Sequence, residues 1–285
     1  MRAIFLVDNG SLRAAAVFNL RRLAVLLSER LGEEVQAASL LHANKIPSEE
    51  LDGVAAATLG PAAERAAEVG AQEIIVVPLF FGASRALTDY LPERLGALQA
   101  RFPQVPVTVA MPLIDEYGDN DLRLAELLAD NVRATLPSEC CGVILVDHGS
   151  PIPEVTAVRN RVAGQLSALL GDQVRFVVAA SMERREGEAY RFNEPLLETL
   201  LATPEIDGPV VLAMLFLSPG RHAGPGGDIA HICQAAMVKR ETLRVLPTRL
   251  VGEHLDIVAL LHTRAKQALA HQRFLLQMPA GEAAK

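Results

Sequence analysis

The chain carries one short phrase twice, and that repetition constrains the fold more than any other feature. Asp8-Asn9-Gly10-Ser11 closes one apolar run, and Asp147-His148-Gly149-Ser150 closes another. Set against each other without gaps (147 minus 8, an offset of 139), residues 8–35 and 147–174 agree at 10 of 28 positions. The matches include Arg22/Arg161, Leu27/Leu166, Ser28/Ser167 and Gly32/Gly171. Further on, Pro78-Leu79-Phe80-Phe81 parallels Met214-Leu215-Phe216-Leu217, and a small-residue turn with Arg85 or Arg221 follows each. So long a period is not a solenoid repeat; it reads as a duplicated domain.

Within each half, short apolar runs alternate with segments of helical period. Strands are expected near 3–8, 34–40, 73–79 and 105–110, then near 142–147, 173–180, 209–216 and 242–246. Ile74-Ile75-Val76-Val77 and Val210-Val211-Leu212-Ala213 are apolar at every position, which suits parallel strands covered by helices on both faces. Pro61, Pro153-Glu154 and Pro195 mark helix starts. The expectation is an α/β protein: two similar doubly wound parallel-sheet domains facing a central cleft. Residues 1–138 form one domain and 139–285 the other, with a frayed tail from about Gln277.

Composition narrows the function classes. Of 285 residues, 50% are hydrophobic and 21% charged, so a sizeable core is available. Aromatics are 4%, there is no Trp and the net charge is −7, which argues against a nucleic-acid partner. No apolar run approaches the roughly 18 residues needed to span a bilayer, and the first apolar stretch is too short for a leader. Cys140, Cys141 and Cys233 have neither disulfide nor metal-ligand spacing, so a reduced cytoplasm is expected.

Ligands in open α/β sheets gather at the carboxyl ends of the strands. His148 ends the first strand of the second half, Glu183 follows its second and His222 follows its third. Two imidazoles and a carboxylate suit divalent cobalt, iron, nickel or zinc. Other readings are open for each. His148 could cap or pack, and the turn from Asp147 to Pro151 could bind a phosphate through backbone N–H groups. Glu183 could belong to a solvated charge run, Met182-Glu183-Arg184-Arg185-Glu186. Among the remaining histidines, His254 alone opens a helix near the same rim.

Together, Val146-Asp147-His148-Gly149-Ser150 and Leu215-Phe216-Leu217-Ser218-Pro219-Gly220-Arg221-His222 with Asp228-Ile229 resemble the sirohydrochlorin cobaltochelatase and ferrochelatase family. This is the class II metal-inserting branch related to protoporphyrin ferrochelatase. The resemblance covers essentially the whole chain. It implies a cytoplasmic lyase that inserts a divalent metal, Co2+ or Fe2+, into sirohydrochlorin or a related tetrapyrrole in cobalamin or sirohaem biosynthesis. The metal would be substrate, with no organic cofactor, and the protein a monomer or homodimer with no nucleic-acid or membrane partner. His148, His222 and Glu183 would bind the metal and take the pyrrole protons. Arg221, Arg184 and Arg191, with Gly149 and Ser150, would hold the substrate, whose carboxylates suit guanidinium groups.

The sequence departs from the family pattern in two loops. Gly224-Pro225-Gly226-Gly227 lengthens the step from His222 to Asp228 and is expected to form a mobile lip. The segment from Arg184 to Asn193 is also long and charged. In the first half, Asn9 replaces His148, Ala86 or Arg85 replaces His222, and His42 lies near the place of Glu183. A tetrapyrrole or metal carrier that keeps the site without turnover is the competing reading, and an unrelated phosphate-binding α/β protein is a third.

Overall fold

The computed structural model describes residues 1–114 and 121–270; the tail expected to fray from Gln277 lies outside them. Each half builds a four-stranded parallel sheet. β1 (Arg2–Asp8), β2 (Val35–Ser39), β3 (Glu73–Pro78) and β4 (Val107–Val109) stand in the order β2-β1-β3-β4. β5 (Gly142–Asp147), β6 (Val177–Ser181), β7 (Pro209–Met214) and β8 (Arg244–Pro247) repeat it as β6-β5-β7-β8. All the pairings are parallel. The apolar strands are buried on both faces, as their unbroken hydrophobicity requires.

The helices between them are α1 (Ala14–Leu31), α2 (Leu59–Glu68), α3 (Leu91–Arg101), α4 (Arg123–Arg133), α5 (Pro153–Leu170), α6 (Leu197–Ala202), α7 (Asp228–Lys239) and α8 (Ile257–Leu269). Among the described residues, none is long and apolar enough to cross a membrane. The duplication extends to single hydrogen bonds. Leu40 N–H reaches Asp8 O as Met182 N–H reaches Asp147 O, and Leu79 N–H reaches Val7 O as Leu215 N–H reaches Val146 O.

The packed units do not follow the expected cut at residue 138. The described parts of one unit are residues 1–114 and 258–270, and those of the other are 121–257. α4, written in the first half, packs on α5 and β7, and Asn131 donates to Arg249 O at 3.4 Å. α8, written in the second half, belongs with the first sheet, where Arg264 donates to Leu113 O at 2.8 Å. Each half has therefore exchanged its last helix. Alternation of strands and helices fixes their order but not which sheet a terminal helix covers. Leu124, Leu127, Leu128 and Val132 of α4 are buried whichever sheet they meet.

A glycine at the third place of the repeated phrase is demanded by the chain crossing behind it. Gly149 has φ of 92°, and a Cβ there would lie 2.0 Å from Glu183 O. Gly10 has the same φ, with Leu41 O at 1.7 Å. Gly149→Ala should therefore cost roughly 2–4 kcal/mol, from left-handed strain and overlap with backbone that cannot yield. Gly10→Ala should cost as much, which denaturant melts of both variants would show. A loss under about 1 kcal/mol in either would mean the crossing can relax.

Candidate functional site

The strand order brings the three predicted residues of the second half together. β6, β5 and β7 are neighbours, and Glu183, His148 and His222 follow their carboxyl ends in that sequence along one rim. His148 Nε2 lies 3.4 Å from Glu183 Oε1. The two imidazole rings meet edge-on, with centroids 4.6 Å apart and planes at 65°. His222 Nδ1 is 2.6 Å from Asp228 Oδ2, and His148 Nδ1 is 3.0 Å from Gly149 O. Among the described residues, no three His, Cys, Asp or Glu side chains are placed so that together they could hold a metal ion.

Beneath the rim lies a buried polar network that sequence reasoning missed. Ser181 Oγ donates to Asp147 Oδ1 at 2.6 Å, and Arg159 Nη1 donates to Ser181 Oγ at 2.5 Å and to Asn193 O at 2.8 Å. Asn193 receives the N–H of Ser150 at 2.9 Å and returns its amide to Ser150 O at 2.8 Å. Arg159, Asn193 and Ser181 are buried, so hydrogen bonds such as these replace the water they have lost. Burial pushes the Asp147 carboxyl above its ordinary range, opposed by the Ser181 hydroxyl and the Arg159 charge. The signal for Arg159 was available: its counterpart in the first half is Leu20, a core residue.

The first half lacks all three rim groups. The hydrogen bond from Glu183 N–H to His148 O has its equivalent in Leu41 N–H to Asn9 O. Leu41, not His42, therefore stands where Glu183 does. Val7 pairs with Pro78 as Val146 pairs with Met214, which makes Ala86 the equivalent of His222 in the repeat, each eight residues past its strand partner. Asn9, Leu41 and Ala86 replace His148, Glu183 and His222.

The CbiX family model matches the chain twice, over residues 3–135 and 142–268. The chain belongs to the CbiX family. Solved structures give the same fold. SirB from Bacillus subtilis with Fe3+ is 18% identical, with a TM-score of 0.69, covering 95% of this chain and 96% of that one. The sirohydrochlorin chelatase SirB from Bacillus subtilis subspecies spizizenii, in complex with cobalt, has a TM-score of 0.68 at 18% identity and the same coverage. DR2241 from Deinococcus radiodurans, a multi-domain protein described as similar to chelatases, has a TM-score of 0.59 at 15% identity, over 93% of this chain and 54% of that one. No curated protein sequence matches.

In this CbiX-family chain the predicted substrate-holding residues are not equivalent. Arg221 is 77% exposed as a side chain, with Nε 3.6 Å from Asp228 Oδ2. Arg184 is bound to Glu194 at 2.9 Å and donates to Arg185 O and Gly187 O. Arg191 meets Glu188 at 3.0 Å and Glu194 at 3.7 Å. Both are tied within their own segment, while Arg221 projects. Ser150 Oγ accepts from Ile152 N–H at 3.1 Å, holding the entry to α5.

The segment expected to form a mobile lip is folded as a hydrogen-bonded turn. Gly224 N–H reaches Gly220 O at 3.0 Å, Gly227 N–H reaches Gly224 O at 2.9 Å and Ile229 N–H reaches His222 O at 3.2 Å. Behind His222 a cavity of about 300 Å³ is lined by Met214, Pro219, Ala223, Ile229, Cys233 and Leu250. Burial pushes the Cys233 thiol up to about 11, so it stays a protonated apolar wall at neutral pH.

Proposed function

We propose that the chain is a chelatase that inserts a divalent metal, cobalt or iron, into sirohydrochlorin or a closely related tetrapyrrole. The observation that carries this is the pair of imidazoles meeting edge-on at 4.6 Å, with a carboxylate 3.4 Å from one of them. Insertion exchanges two pyrrole N–H protons for one M2+. The protein must therefore offer ligands that release the metal and bases that then take the protons. Imidazole does both near neutral pH, and His148, His222 and Glu183 supply three such groups on one rim. Membership of the CbiX family supports this reading, and the iron and cobalt named for the SirB structures set the metals to try first.

Anaerobic mixing of the protein with sirohydrochlorin and Co2+ or Fe2+ should convert the free tetrapyrrole spectrum catalytically. A carrier would shift the spectrum only in proportion to protein, and that result would displace the enzyme reading. Arg221 is the projecting cation beside His222, suited to a substrate carboxylate in a chain of net charge −7. Such a contact holds ground state and transition state alike. Arg221→Ala should accordingly raise KM several-fold while kcat changes by less than about twofold, and an unchanged KM would remove Arg221 from substrate binding.

A further inference from the structure

We propose that Asp228 is the positioning residue of His222: it accepts the ring's Nδ1–H, and so aims the Nε2 lone pair out of the rim toward the incoming metal. The assignment rests on the metal-handling reading of His222. A neutral imidazole has one protonated nitrogen and one lone pair, and the partner of the first decides where the second points. Asp228 Oδ2, 2.6 Å from His222 Nδ1, belongs to a carboxylate that can only accept in its ionised form. The proton therefore sits on Nδ1. The carbonyl of Gly149, also an acceptor only, stands 3.0 Å from His148 Nδ1. His222 is thereby left with Nε2 as its lone-pair nitrogen, whereas His148 Nε2 has the Glu183 carboxylate 3.4 Å away.

The local chain is shaped to make the Asp228 contact. Asp228 is the first residue of the 12-residue helix α7, where a carboxylate is favoured by the exposed helix amides. The helix can start this close to His222 because position 227 has no side chain. A Cβ at Gly227 would lie 2.6 Å from both Arg221 O and His222 O. The inserted glycines close the turn that brings Asp228 under the ring. Arg221 Nε lies 3.6 Å from the same Oδ2, a longer and more exposed contact than the one to His222.

The test reads the tautomer directly. Full-length protein labelled with 15N-histidine gives two-bond 1H–15N ring spectra at pH 8, with the His222 signals identified by their loss in His222→Ala. Wild-type His222 should carry its proton on Nδ1. Asp228→Asn, which keeps a neutral acceptor, should retain that tautomer and most of the Co2+ affinity. Asp228→Ala should lose the single tautomer and weaken Co2+ binding by about 10–100-fold, with the histidine rings other than His148 and His222 unmoved. A wild-type proton on Nε2 overturns the proposal without any variant. An Asp228→Ala protein with Nδ1–H intact, or with Co2+ affinity within about twofold of wild type, overturns it too. If the tautomer follows these expectations but wild-type protein never inserts metal, Asp228 keeps its role and the chelatase reading falls.

Discussion

Replacing His148 or His222 by alanine is expected to cut metal insertion by about 10²–10⁴-fold, the scale of a lost, positioned proton acceptor. Each change would also remove a proposed metal ligand, so Co2+ affinity should fall with activity. The rings are 4.6 Å apart and, if the proposed function holds, would serve one metal, so the double variant should be little worse than either single one. Glu183→Gln should cost less, because Glu183 meets His148 at 3.4 Å from a largely exposed position. Asn9→Ala should leave the rate unchanged, since Leu41 and Ala86, at the places equivalent to Glu183 and His222, provide neither ligand nor base. Titration should find one strong Co2+ site per chain. Two equivalent sites, or full insertion by the double variant, would place the chemistry elsewhere.

Much of this arrangement was legible in the residues. The repeated Asp-x-Gly-Ser phrase announced two copies of one βαβ frame, and the unbroken apolar runs announced parallel strands. The rim could be read because parallel α/β sheets put strand ends on one side, so His148, Glu183 and His222 needed only adjacency to meet. Adjacency itself was not written locally. Nor was the exchange of α4 and α8, because a helix with a buried face does not specify the sheet that buries it. His42 lies near the place of Glu183 in the sequence, and the backbone hydrogen bond from Leu41 to Asn9 refines that place to Leu41, one residue earlier. Gly224 and Gly227 suggested freedom by composition. The structure uses their missing side chains for close packing against carbonyl oxygens. Asp228 was visible as part of a motif, yet its bond to His222 depends on that packing.

The duplication also supplies an internal control for the buried network. Arg159 stands on α5 where α1 has Leu20 (159 minus 139), and both positions are buried. In the second half, Asp147 has the Ser181 hydroxyl at 2.6 Å and the Arg159 guanidinium at 3.9 Å. In the first half, Ser39 supports Asp8, but Asp8 Oδ1 is buried without a hydrogen-bond partner, and burial pushes that carboxyl up to about 6. Arg159→Leu would recreate the first-half arrangement in the second. It strands Asp147 and leaves Asn193 O and Ser181 short of a donor, so a loss of about 3–5 kcal/mol at pH 7 is expected. The sign of the pH dependence follows from the carboxylate. A folded-state pKa above the unfolded value means the folded state holds the proton longer, so stability falls as pH rises between the two values. The deficit of Arg159→Leu should therefore be smallest near pH 4 and grow toward pH 7. Asp8→Asn should do the reverse. It removes a carboxyl displaced from 3.8 to about 6, a cost of roughly 3 kcal/mol at neutral pH before the new amide's own needs are met. A net gain of about 1–2 kcal/mol is expected at pH 7.5, fading below about pH 4 where Asp8 is protonated in both states. Thermal melts of the two variants across pH 4–8 would show opposite slopes against wild type. A deficit in Arg159→Leu that does not vary with pH would mean Arg159 serves Asn193 and Ser181 by hydrogen bonding alone, and not the charge on Asp147.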